Sequence, residues 1–261
     1  MNPLITLARV WHNWVSPQMW GPVLGGSVAS SSFSPTDISG LLLWLKADQI
    51  TGLANGDPVA TWVNQSGSAS NATSPGGSQP IYTTNVQNGL PGVHFDGTSQ
   101  FISGTVTISG TTCSVFVVAT LESGSNSYGR ILSIGTNGTN DYDNTASAEA
   151  LSRDGTNQGL SSYRASAPKS VKSISAYSTA FTAASVFNGT NNIVTVDGTA
   201  GTTVSTTGSF SVSKYTLGNV VGGTASRYKG YIFEICVYST ALNSTDLANL
   251  KSYANTRWNT P

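Results

Sequence analysis

Asparagine or aspartate stands directly before glycine at Asn55-Gly56, Asp96-Gly97, Asn137-Gly138, Asp154-Gly155, Asn188-Gly189 and Asp197-Gly198. Such pairs accept the positive φ angles that a tight hairpin loop demands, and these lie among short apolar runs. The runs are LLLWLKAD (41–48), PVATWV (58–63), GVHFD (92–96), QFISGTVTI (100–108), CSVFVVATL (113–121), RILSIG (130–135) and EALSRD (149–154). They continue with GLSSYRA (159–165), SVKSISAY (170–177), SVFNG (185–189), NIVTVDG (192–198), YTLGN (215–219) and GYIFEICVY (230–238). More than ten short strands with this punctuation predict an all-β sandwich or jelly roll. A parallel α/β sheet would need intervening helices of about 10–15 residues, and no such segments separate the strands.

Composition narrows the function classes. Charged residues make up 9% of the 261 residues, against about 25% in an average soluble domain. Ser, Thr, Asn and Gly, which suit turns and strands, fill nearly half the chain. The 12 basic residues balance the 12 acidic ones, so the basic footprint of a nucleic-acid binder is missing. No apolar stretch approaches the ~20 residues of a membrane-spanning helix. Cys113 and Cys236 both lie inside apolar runs, which reads as two buried thiols, although spacing alone leaves a disulfide open.

Three further segments have distinct characters. MNPLITLARVWHNWV lacks a basic leader, so a secretory signal is not expected. Leu4, Leu7, Trp11 and Trp14 share one face at helical spacing. Residues 1–20 therefore read as an amphipathic anchor that docks on another subunit, or alternatively on its own domain. Residues 21–35 are Gly/Ser-rich, as a linker would be. Near the C-terminus, TDLANLKSYANTRW places Leu247, Leu250, Ala254 and Trp258 on a common face, with Ser244 or Thr245 as cap.

Three pieces in order, GLLLWLKADQITGLANGDPVATWVNQSG, NGLPGVHFDGTSQFI and RYKGYIFEICVYSTALNSTDLANLKSY, resemble the concanavalin A-like, laminin-G-like jelly-roll family of bacterial surface and phage structural proteins. The resemblance covers roughly residues 36–258. It implies two antiparallel sheets whose first and last strands meet, within one domain over residues 36–261. Glucanases on that fold carry a Glu-x-Asp-x-x-Glu strand. Here Glu122, Glu149 and Glu234 are the only glutamates, and Glu149 with Asp154 lacks the middle acid. Hydrolysis needs a pair of carboxyl groups flanking the bond, so the sequence leads to the expectation that the chain is not an enzyme. Glu234, in an apolar run, reads as a paired structural carboxylate.

Relatives often hold calcium in rim loops, and calcium prefers oxygen ligands. Asp141 and Asp143, in Asn140–Asn144, are the candidate ligands, a solvated turn being the plain alternative. Tyr128, Arg130, Tyr142, Tyr163 and Arg164 fall in or beside expected rim loops and are the candidate glycan contacts, with edge packing as the alternative for the tyrosines. The whole reads as a phage virion component, a tail or head fibre or a capsid decoration protein. It would be anchored to other virion subunits by its N-terminus and would display a lectin-like domain to host glycans. A homo-oligomer is compatible with this, though no heptads specify a trimer. A secreted bacterial carbohydrate-binding module is the alternative.

Overall fold

The computed structural model describes residues 32–136, 141, 146–155, 157–164, 168–223 and 225–261. Phe33–Pro261 forms one compact unit. The anchor residues Leu4, Leu7, Trp11 and Trp14 lie outside the described residues.

Among the described residues, seventeen strands precede one α-helix. The first nine are β1 (Leu41–Lys46), β2 (Thr61–Trp62), β3 (Ala72–Thr73), β4 (Ile81–Gln87), β5 (Leu90–Asp96), β6 (Ile102–Gly110), β7 (Thr112–Thr120), β8 (Arg130–Gly135) and β9 (Ala148–Arg153). Then come β10 (Gly159–Tyr163), β11 (Ser170–Ser173), β12 (Ala180–Asn188), β13 (Asn191–Val196), β14 (Thr199–Ala200), β15 (Val204–Ser205), β16 (Phe210–Leu217), β17 (Lys229–Tyr238) and helix α1 (Ser244–Trp258). One sheet runs β14-β13-β12-β7-β17-β5-β4, with β1 on β17 and β15 on β13. The other runs β11-β10-β9-β8-β16-β6-β3-β2. Strand pairs in both are antiparallel, and the first strand meets the last through Leu43↔Val237 and Lys46↔Glu234. The all-β two-sheet sandwich with a C-terminal helix is therefore the observed architecture.

The near-continuous apolar runs of β7 and β17 follow from burial on both faces. Cys113, Val115, Val117 and Ala119 enter the core between the sheets, whereas Phe116 and Val118 face a second cluster under α1. Ile235 and Val237 likewise face the inter-sheet core, while Phe233, Cys236 and Tyr238 face the helix side. Cys113 and Cys236 thus lie on opposite sides of one sheet, both as free thiols, which closes the question of a disulfide. In β1 a register shift between Leu41 and Leu43 turns Leu42 toward the core and sets Leu41 beside Trp44 on the helix side.

Helix α1 buries Leu250, Ala254 and Trp258 against that second cluster. Burying Leu250 alone contributes about 1.5–3 kcal/mol. Its cap is Asn243 rather than Ser244 or Thr245. The Asn243 side chain accepts from the backbone N–H of Thr245 and Asp246, and the Asp246 carboxylate accepts from the Asn243 N–H. Asn caps as well as Ser, and here it sits where both orphan donors can reach it.

The turn pairs do what their chemistry requires. Asp197 and Gly198 are both at positive φ (49° and 78°) and join β13 to β14. Asn88 and Gly89, at 52° and 75°, join β4 to β5 in the same way. That pair and strand β4 were both passed over in the sequence reading. The β4 pattern is masked because Asn85 also takes a positive φ, within a register break between Thr83 and Gln87. Asp96 accepts from the backbone N–H of Thr98, Ser99 and Gln100 and from the hydroxyls of Thr98 and Ser99. Partial burial works to raise its pKa, but these donors outweigh it and hold the carboxyl well below the usual range.

Candidate functional site

The four described residues among the expected glycan contacts have different surroundings. Tyr128 is 41% exposed, one of two large hydrophobic side chains so placed among the described residues. Its backbone sits at φ +60°, a region that costs a non-glycine residue about 1–2 kcal/mol and persists only where the surroundings impose it. Tyr163 is half-buried. Tyr142 lies outside the described residues.

Arg130 and Arg164 are corrected in placement: both are 2% exposed, so neither lies on a rim. Arg130 donates through Nε and Nη2 to the two carboxylate oxygens of Asp141, at 2.8 and 3.0 Å, and through Nη1 to the Tyr128 carbonyl at 2.5 Å. Sequence proximity put these groups at a rim, whereas bidentate pairing carries them inside together. Arg164 lies over the Phe210 ring, 3.9 Å from its centroid. Burial lowers its pKa, and burial also pushes the Cys113 thiol up to about 12 against the pull of the Arg164 charge.

The candidate calcium ligand Asp141 is fully buried, with both oxygens engaged by Arg130, which does not fit a residue presented to a cation. Asp143 lies outside the described residues. Among the described residues no group of three or more His, Cys, Asp or Glu side chains could hold a metal ion.

Lys169 gathers what the sequence left apart. Its ammonium lies 3.5 Å from the Tyr128 ring centroid and 5.5 Å from that of Tyr163. Gly155, at φ +54°, lies against the same tyrosine: a β-carbon there would stand 3.4 Å from the Tyr128 hydroxyl. The neighbouring residues of that turn, Asp154 and Asn157, open onto a groove of about 630 Å³. Gln158, Val171, Lys172, Ser173 and Thr202 complete most of its lining. The groove runs along the edge strand β11 and is rich in side-chain donors and acceptors. Asn157 donates to Asp154 at 3.0 Å, and Gln158 donates to the Ser175 carbonyl at 3.0 Å. A partly exposed tyrosine ring, one face of which carries the Lys169 ammonium, beside a polar groove can hold a ligand that is apolar on one side and hydroxylated on the other.

Two other clusters are chemically distinct. His94 and Glu122 stand 3.0 Å apart, Lys229 lies 3.7 Å from the same carboxylate, and the Tyr231 ring packs on His94 at 4.7 Å. A cleft of about 330 Å³ lies between α1 and the sheet, with Phe116, Ala184 and Leu247 among its walls and Asp197 and Lys251 at its edge. Burial raises the Asp197 pKa against the hydrogen bonds from Thr182. This cleft is a packing seam with a largely apolar floor, whereas the groove at β11 is lined mainly by polar groups.

Glu234 accepts from Trp44 Nε1 at 2.5 Å, Tyr253 Oη at 2.9 Å and Trp258 Nε1 at 2.7 Å. It is buried, as expected of a structural carboxylate, but its hydrogen-bond partners are three neutral donors. Several Asn-x-Ser/Thr sites have equally structural duties: Asn64 and Asn188 close turns on their own backbone, and Asn243 caps α1.

The sequence reading missed Asp154, Asn157, Gln158, Lys169 and Lys172. The Asp154-Gly155 pair marked the turn, but nothing local showed that it would meet Tyr128.

No family model and no curated protein matches the sequence. Solved structures share the fold. The Trypanosoma rangeli sialidase matches with a TM-score of 0.56 at 16% identity, over 84% of this chain and 33% of that one. The chain thus spans about a third of the length of the sialidases it resembles. The binding domain of botulinum neurotoxin serotype D matches with a TM-score of 0.59 at 11% identity, over 85% of this chain and 54% of that one. Domain 4 of AbnA, a GH43 extracellular arabinanase from Geobacillus stearothermophilus solved with arabinotriose, matches with a TM-score of 0.57 at 15% identity. That match covers 81% of this chain and 98% of the domain. These likenesses overturn the expectation that the chain is not an enzyme. Sialidase chains and a domain of an arabinanase carry this fold, so a missing Glu-x-Asp-x-x-Glu strand excludes no activity.

Proposed function

We propose that Phe33–Pro261 is a glycan-binding module of the concanavalin A-like, laminin-G-like kind, holding a saccharide in the β11 groove with Tyr128 as its stacking ring. The observation that carries this reading is the exposed Tyr128 ring, imposed at a positive φ and set beside an open polar groove. Its support from comparison is a likeness of fold that covers 98% of a domain solved with arabinotriose.

Calorimetric titration with arabinotriose and a panel of other oligosaccharides tests it. Tyr128→Ala should weaken binding by about 3–10-fold, as loss of an aromatic contact worth ~0.5–1.5 kcal/mol would. The melting temperature should hardly move, since the ring is exposed. Unchanged affinity across every bound sugar would remove Tyr128 from the site.

The same reading extends to display on a virion surface through the N-terminal segment. Its support is that the Leu4, Leu7, Trp11, Trp14 face and the Gly/Ser-rich stretch precede the compact unit. Deleting residues 1–30 should leave the domain's melting curve unchanged and abolish incorporation into particles. A truncated protein that still assembles would place the anchor on the sandwich instead.

A further inference from the structure

Among the described residues, Lys169 at the aromatic rim and Lys172 in the groove have no carboxylate partner. Ion pairs among the described residues use other cations: Arg130 with Asp141, Lys229 and His94 with Glu122, and Arg257 with Asp48. Lys169 lies over the rings of Tyr128 and Tyr163, and Lys172 lines the groove with no side-chain bond to another described residue. Asp154 is the one acidic residue in the lining, and its Oδ2 already accepts from Asn157. A chain with zero net charge and only 9% charged residues therefore sets two ammonium groups against one carboxylate at this edge strand, which leaves positive charge in excess.

The tyrosine faces hold Lys169 by cation–π attraction. That contact fixes the stem and neutralises none of the charge. An ammonium is a compact three-donor group suited to carboxylate or sulfate oxygens, and a hydrogen bond to a charged group is stronger than one between neutral groups. A neutral sugar would leave that excess of positive charge unmatched.

We propose that this groove selects acidic saccharides, those carrying a carboxylate or sulfate, over neutral ones of the same length. The inference rests on the glycan-binding reading above and names the substrate class of the same site.

The test titrates the full chain with tri-galacturonic acid, a sulfated trisaccharide and neutral arabinotriose, at about 20 mM and 500 mM NaCl. At low salt at least one acidic ligand should bind about tenfold more tightly than the neutral one, and salt should shrink that ratio by screening. Which acidic arm wins distinguishes a carboxylate from a sulfate. Lys172→Gln and Lys169→Gln should each bring the acidic-to-neutral ratio toward one. Lys214→Gln, a lysine outside this groove, should leave it unchanged. Neutral binding equal to or tighter than both acidic arms would overturn the acidic preference and leave the glycan reading standing. A ratio that falls equally in the Lys214 variant would also overturn it, because general charge would then be the cause. If none of the three ligands nor any other saccharide binds, the glycan reading itself fails.

Discussion

Asp141→Ala should lower the unfolding free energy by about 3–5 kcal/mol, the usual cost of removing one partner from a buried ion pair. The Arg130 and Asp141 side chains are 2% and 0% exposed, so water cannot replace the lost carboxylate. The guanidinium also donates to the Tyr128 carbonyl, which links the pair to the residue held at positive φ. The same variant should therefore loosen the Tyr128 turn, seen as greater quenching of tyrosine fluorescence by acrylamide before unfolding begins. The paired variant Arg130→Met with Asp141→Leu is the control. Replacing a buried ion pair by apolar groups of similar volume is often neutral for stability, so denaturant titration should find it much closer to wild type. A single variant with wild-type stability would mean that the pair is solvated in solution.

Glu234→Leu is expected to cost about 3–5 kcal/mol. It strands the buried Trp258 indole N–H and the partly buried Trp44 N–H and Tyr253 hydroxyl, and each unsatisfied buried group costs ~1–3 kcal/mol. The pH dependence gives a second readout. Burial raises the Glu234 pKa above its ordinary 4.5, outweighing the hydrogen bonds from Trp258 and Trp44, the Lys46 charge and the bond from Tyr253. Within that window the folded state binds the proton more readily than the unfolded state. Stability from this group therefore rises as the pH falls through the raised pKa toward 4.5. Wild type should gain on Glu234→Gln over the same interval, since the amide does not titrate. Parallel stability curves for the two proteins would show that the carboxyl is not perturbed.

Much of the fold was legible because its causes are local. An Asp-Gly pair such as Asp197-Gly198 selects a hairpin through the φ angles that only a few residues accept. The doubly apolar runs of β7 and β17 announce strands buried on two faces, and the helix pattern of Leu250, Ala254 and Trp258 survived to the residue. Where local signals conflict, the reading failed. The strand β4 carries Asn85 at a positive φ in its middle, and β12 begins in AFTAA, whose small residues hide any alternation.

The site was less legible, and the reason is reach. Tyr128, Gly155, Lys169 and Lys172 come from a loop, a turn and an edge strand, and no spacing rule links them. The sequence by itself determined an all-β chain with a terminal helix and buried thiols. It also named Tyr128 among its candidates. Only the tertiary structure decided that Arg130 pairs with Asp141 inside the protein, and that Arg164 is buried beside Phe210. Both outcomes turn on desolvation, because a charge leaves water only where a partner or ring at the right distance offsets the loss. That distance is set by the packing of the whole sandwich.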